Sequence, residues 1–229
     1  MDTINKVKSI SIWIFIVPFV AINTCLILIT NFHEIFPNKE HIIHNTIPYI
    51  DGGASISRTA RVFPTYLIFK PAMFLTAYLL IRYWLYIKKI ILNIHGEHKN
   101  LRKILIFGIG SAICLIIHSI FLGIKFDYDL YKLFRRVIML VFIIFEVVAQ
   151  AYLVITLYSI KNKLLSFINL KFLKLKAILV SILVFVMIVS IPIVSMPGNK
   201  HIKHALEWDF FLGVILFYVL TFFMWKKQS

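Results

Sequence analysis

Two arginines three residues apart, Arg58 and Arg61, follow the turn sequence Asp51-Gly52-Gly53 in the longest polar stretch of the chain. At that spacing two side chains share one face of a helix. A guanidinium is a planar fork that grips phosphate or carboxylate through two bonds at once. The glycines supply positive φ without steric cost, and Ser55 or Ser57 can cap a helix that starts there. Glycine-rich backbone, a helix start and two arginines together suit an anionic group such as phosphate. The same residues also fit a structured loop whose arginines pair with Asp51, Asp127 or Glu207, or reach toward headgroups.

A second candidate lies inside apolar sequence. Lys70 stands about 7 residues into one predicted helix and Glu146 about 10 into another, so at 1.5 Å per residue their depths differ by only a few Å. Charges within hydrocarbon cost several kcal/mol or so unless paired. An ion pair is expected, with Gln150 one turn from Glu146 on the same face. It would be either a structural pair fixing helix register or a substrate or proton site. Arg82 lies nearer a helix end, where reaching past Tyr83 and Trp84 to headgroups accounts for it.

His201 and His204 precede Glu207, and His118 ends another apolar run. Such residues can ligate zinc in a hydrolase. The spacing is not H-E-x-x-H, and no motif ties His118 to the pair. Polar histidines at the membrane interface are the simpler account; no metal or cofactor is expected. Trp208 fits an interfacial aromatic belt. Cys25 and Cys114 sit inside apolar runs and read as small packing residues.

The elements that must carry these residues are membrane helices. The chain is 60% hydrophobic, with a mean hydropathy of +0.88, well above the apolar share of soluble domains. Apolar runs near 9–30, 63–87, 103–123, 134–158, 173–195 and 205–225 each have the length that crosses about 30 Å of hydrocarbon. Lipid leaves no partner for unpaired backbone groups, so these runs are expected as helices. The fold class is all-α: one polytopic bundle of six transmembrane helices over residues 1–229, with no separate soluble domain. The first run, Ile10 to Ile29, is longer than a cleavable signal and reads as an uncleaved anchor. Gly108, Gly110, Ser111 and Ala112 form a small-residue patch suited to close helix packing.

The net charge of +15 would suggest nucleic acid in a soluble protein. Here the lysines and arginines gather at the ends of apolar runs, and no nucleic-acid partner is expected. Of the 25 basic residues, fourteen fall on one side of the six-helix arrangement, nine on the other, and Lys70 and Arg82 within runs. The positive-inside rule puts the fourteen, and both termini, in the cytoplasm. The membrane would be the inner membrane of a bacterium, or an endomembrane or plasma membrane of a eukaryote. The acids Glu34, Glu40, Asp51, Asp127, Asp129, Glu207 and Asp209 fall on the outer side.

Three stretches carry a family resemblance: Ile47-Pro48-Tyr49-Ile50-Asp51-Gly52-Gly53-Ala54-Ser55-Ile56-Ser57-Arg58, then Phe107-Gly108-Ile109-Gly110-Ser111 leading to Ile120-Phe121, then His204-Ala205-Leu206-Glu207-Trp208. In that order they resemble the family of the damage-regulated autophagy modulator and the FGF-receptor-activating protein. That family also includes the Sfk proteins and the Golgi factor for GPI-anchor lipid remodelling. The resemblance spans roughly residues 40–225. The cysteines and Pro-Pro pair usual in the first loop of the animal autophagy members are absent. The resemblance implies six helices, cytoplasmic termini and roles in membrane lipid or trafficking.

The function expected from these readings is binding or handling of membrane lipid in a lipid-remodelling or membrane-organising role. Its partners would be membrane lipids. Arg58 and Arg61 would hold a headgroup at the extracytoplasmic mouth. Asp51, Ser55, Asp127, His204, Glu207 and Trp208 would cluster around it. Two alternatives stay open: an intramembrane hydrolase or acyltransferase using His204 with Glu207 or Asp51 as acid and base, and a small transporter using Lys70 and Glu146.

Overall fold

The computed structural model describes residues 2–124, 129–196 and 198–226. Asp127, expected at the mouth, lies outside them. The described chain is all-α. Six long helices dominate: α1 (Asp2–Asn31), α4 (Tyr66–His95), α5 (Leu101–Phe121), α6 (Asp129–Ser159), α8 (Leu170–Ser195) and α9 (Lys200–Met224). Three short ones, α2 (Pro48–Asp51), α3 (Ile56–Ala60) and α7 (Lys161–Leu164), lie in the connections. Five of the long helices, α1, α5, α6, α8 and α9, are long and apolar enough to cross a membrane. The sixth, α4, has 30 residues but carries Lys70, Arg82, Lys88 and Lys89.

Several helices outrun their apolar cores. α4 continues to His95 rather than stopping near 87, because Ile87, Ile90 and Ile91 keep a buried face while Lys88 and Lys89 point outward. α9 starts at Lys200 rather than 205, and α1 at Asp2 rather than 9. An amphipathic turn prolongs a helix beyond its purely apolar run.

The long helices pack in a ring, each on two principal neighbours, in the order α1, α4, α5, α6, α8, α9 and back to α1. In lipid no hydrophobic force draws helices together, so close packing must. The small-residue patch of α5 serves that purpose. A Cβ on Gly108 would sit 2.5–2.6 Å from the Trp84 ring, and one on Gly110 would sit 2.7 Å from Phe145. Glycine therefore lets the α4 indole and the α6 phenyl lie directly on the α5 backbone. At one end of the ring, the 32–65 segment with α2 and α3 forms a cap against α1 and α9. At the other, the terminal end, Lys226 N–H donates to the Phe167 carbonyl (2.9 Å) and Asn169 N–H to that of Met224 (2.8 Å). Those two bonds tie the end of α9 to the start of α8.

Candidate functional site

The cap is held by α9. His201, His204 and Trp208 follow one face of that helix at spacings of three and four. The two imidazoles meet the carbonyls of Asp51 (Nδ1, 3.1 Å) and Gly52 (Nδ1, 2.9 Å), and Trp208 Nε1 donates to Ala54 (2.8 Å). Trp208 is fully buried, with its ring edge-on to Tyr49 at 4.9 Å, and Tyr49 donates to Asn23 of α1 at 3.1 Å. So close a fit requires glycine. Gly52 has φ +61°, and a Cβ there would lie 1.8 Å from the His201 carbonyl oxygen.

Asp51 belongs to this architecture rather than to a headgroup site. Its carboxylate accepts from Thr46 Oγ1 (2.6 Å), Ile47 N–H (2.7 Å) and Gly53 N–H (2.8 Å). The Thr46 bond, followed by the Gly53 and Ile47 amides, holds its pKa below the usual carboxylate value. Ser55 caps α3 by accepting from Arg58 N–H at 3.1 Å. The carboxylate of Glu207 sits at the start of the same short helix, facing the Ser57 and Ile56 N–H groups.

The arginines form a cluster that includes one not singled out from sequence. Arg135 of α6 donates to Ser57 Oγ at 3.4 Å and lies within electrostatic reach of Arg61 and His118. Burial, then the charges of Arg135 and Arg58, lower the pKa of Arg61. Among the described residues no carboxylate lies within 4 Å of any of the three arginines, and the buried Nε of Arg135 and Nδ1 of His118 have no partner. Three cations thus stand together with hydrogen-bond donors unspent.

Next to Ser57 and His118, which adjoin this cluster, opens a narrow cavity inside the ring, with about 70 Å³ of room for the centre of a water-sized sphere. Its walls come from α1, α3, α4, α5, α6 and α9, and α8 contributes nothing. Near the cap it is lined by Ser57, His118 and Glu207, and deeper by Met73, Phe142, Phe211 and Leu80, reaching Glu146 and Tyr218. Between its two ends the walls are almost wholly apolar.

Glu146 is buried and does not meet Lys70. Its carboxylate accepts from Ser111 Oγ (2.6 Å), Gln150 Nε2 (3.1 Å) and the Tyr218 hydroxyl. Lys70 instead donates to the Ile120 carbonyl at 3.3 Å and lies 5.8 Å from the Tyr66 ring. The ion pair expected from matching depths is absent. α4 and α6 are separated by α5 in the ring, so equal depth does not bring the two side chains together. Gln150 does share the Glu146 face, and also donates to the Val214 carbonyl at 3.2 Å. A different lysine is buried: Lys176 of α8, fully enclosed, donates to Thr221 Oγ1 at 2.7 Å with Phe217 3.8 Å below.

The residues expected at the mouth therefore serve two purposes. Asp51, Ser55, His204 and Trp208 build the cap and Glu207 lines the cavity, while Arg58 and Arg61 stand outside its lining, next to Ser57. Among the described residues no hydrogen bond joins His204 to Glu207 or Asp51, and no three His, Cys, Asp or Glu side chains converge. Of the acid–base set expected for a hydrolase, His204 and Asp51 make cap hydrogen bonds and Glu207 lines the cavity. Sequence reasoning did not single out Arg135 or Tyr218 for this region, and it read Ser57, Ser111 and His118 only as a helix cap, a packing residue and an interfacial histidine.

The bundle, the glycine-dependent loop and the His-Ala-Leu-Glu-Trp face of α9 coincide with the three stretches that carry the family resemblance. No curated protein and no solved structure matches the chain. The profile of the Frag1/DRAM/Sfk1/Cwh43P N-terminal domain matches residues 7–227, nearly the whole chain. The protein is thus an integral, multi-pass membrane protein that belongs to the Frag1/DRAM/Sfk1/Cwh43P N-terminal domain family.

Proposed function

We propose that the chain binds membrane lipid, in a lipid-remodelling or membrane-organising role, with an anionic headgroup at Arg58, Arg61 and Arg135 and hydrocarbon in the cavity. In this reading α4 is a sixth span, its Lys70 and Arg82 being accommodated by a carbonyl and by the Tyr78 and Tyr86 hydroxyls. The excess of basic residues at the terminal end then puts both termini in the cytoplasm and the cap outside.

One observation carries the reading: a cavity with apolar walls begins at Ser57 and His118, next to three arginines that have no carboxylate partner among the described residues. Unpaired cations next to a low-dielectric interior are costly, and a phosphate would supply the missing charge. The hydrocarbon attached to that phosphate matches the walls.

The test is lipid retention by the purified protein, read by native mass spectrometry after incubation with vesicles containing phosphatidic acid or diacylglycerol. Phosphatidic acid should be retained in preference. Arg135→Gln should reduce its retention roughly tenfold or more, the worth of one charge-assisted hydrogen bond. Equal retention of the two lipids, or an unaffected Arg135→Gln, would remove the headgroup site.

A further inference from the structure

The deep end of the cavity has its own chemistry. Glu146 is 1% exposed and lines the cavity. Three donors converge on it, from Ser111, Gln150 and Tyr218. A carboxyl group offers about four lone-pair sites when ionised and keeps acceptor capacity when protonated, so the three donors leave some of it unspent. One of the three is shared, since Ser111 Oγ also reaches the Gly108 carbonyl at 2.8 Å and has a single hydrogen. Beside the carboxylate, the buried Gln150 Oε1 has no donor at all. Among the described residues no Lys, Arg or His lies within 4 Å of Glu146.

The two ends of the cavity differ. Near the cap, unspent donors of Arg135 stand by a Glu207 carboxylate that faces the Ser57 and Ile56 amides; at the floor there is unspent acceptor capacity. Arg135 and Glu146 are both on α6, eleven residues apart, which is ~16 Å along the axis. A plain acyl chain held by its headgroup at the arginines would end in methyl groups against a carboxylate, which gains nothing from them.

We propose that the Glu146 floor is a second binding pole, one that takes a hydrogen-bond donor, a hydroxyl or protonated amine, carried by an otherwise apolar ligand chain. This rests on the lipid-binding reading for what fills the cavity, and it narrows the class of occupant. The favoured ligand has an apolar body of roughly the length between the poles and a donor at its buried end. Ser111, Tyr218 and Gln150 act as positioning residues that fix the carboxylate toward the cavity.

The probes are 1-dodecanol, dodecylamine and dodecyl methyl ether. The ether has the chain of the alcohol but no donor. Each competes at equal membrane mole fraction with a fluorescent dodecyl probe bound to the full-length protein in nanodiscs. Dodecanol, dodecylamine or both should compete at least about tenfold better than the ether, as expected when a buried polar group gains a hydrogen bond it otherwise lacks. Glu146→Leu should abolish that preference while the ether still binds. Equal competition by all three on the wild-type protein overturns the proposal, and that comparison needs no variant to fold. The phosphatidic acid measurement is independent. If it fails while the donor preference holds, the headgroup site is wrong and the floor stands; the reverse result rejects the floor alone.

Discussion

Replacing Gly52 by alanine isolates the contribution of the cap. Two costs arise. A non-glycine residue at φ +61° and ψ 23° costs about 1–2 kcal/mol. The new Cβ would also lie 1.8 Å from the backbone oxygen of His201, and backbone cannot swing aside as a side chain can. The loop must lift from α9, breaking the contacts of His201, His204 and Trp208 with the carbonyls of Asp51, Gly52 and Ala54. At roughly 0.5–1.5 kcal/mol each, these sum to about 3 kcal/mol. Gly96→Ala is the control: its φ is +85°, but nothing lies within 4 Å of the added Cβ, so only the conformational cost applies, about 1–3 kcal/mol. Thermal unfolding of both variants in the same nanodiscs should place Gly52→Ala roughly 6–12 °C below Gly96→Ala, using about 2–4 °C per kcal/mol for a chain of this size. Equal melting temperatures would refute the clamp, because the close approach to His201 would then cost nothing.

Lowering the pH should loosen the same cap. The folded-state pKa of Asp51 is depressed by Thr46, Gly53 and Ile47, so its contribution is fully present above the unfolded value, about 3.9, and is lost as pH falls through the lower folded value. Hydrogen exchange of the Ile47 and Gly53 amides should rise below pH 4 relative to neighbouring loop amides, and Asp51→Asn should remove that step. Glu146→Leu should lower the melting temperature by orphaning buried donors, at about 1–3 kcal/mol per group, whereas Lys70→Met should shift it little. Their double mutant should be additive within about 0.5 kcal/mol, and a clear coupling would restore the ion pair. Lys176→Met should raise or preserve the melting temperature, because it removes an enclosed polar amine while keeping the stem's volume, and Thr221 retains the Phe217 carbonyl as acceptor at 2.9 Å. A marked loss of folded protein would instead assign Lys176 a structural charge role.

Apolar run length made the helices legible, and the loop and the α9 motif were legible as places of interest. Their use was not. His204 and Trp208 carried the right signal, two polar side chains on one helix face, but sequence does not say whether a histidine faces a ligand or a neighbouring carbonyl. The Lys70–Glu146 case shows the limit most clearly. Counting residues from a helix end gives depth alone, while rotation about the axis and the order of helices in the ring decide contact. Here that rotation is set by packing such as Trp84 on Gly108, which becomes visible only once α4 and α5 are adjacent. Lys176 was hidden for a related reason. α8 is apolar on every side, so its sequence marks no inward face, and a lysine near its end reads as a headgroup anchor. Arg135 looked like one more basic residue at a membrane surface until α3 placed Ser57 beside it.

The clamp also dictates an order of events during synthesis. The loop carbonyls at Asp51, Gly52 and Ala54 are made long before the side chains that hold them, His201, His204 and Trp208. About 150 residues intervene, so at typical elongation rates of about 5–20 residues per second the loop waits roughly 8–30 s for its partners. α9 is also the helix that closes the ring between α8 and α1. A nascent chain halted before α9 leaves an open bundle and an undocked loop together. Docking of that loop therefore cannot precede the arrival of α9, so loop and ring closure are completed in one step.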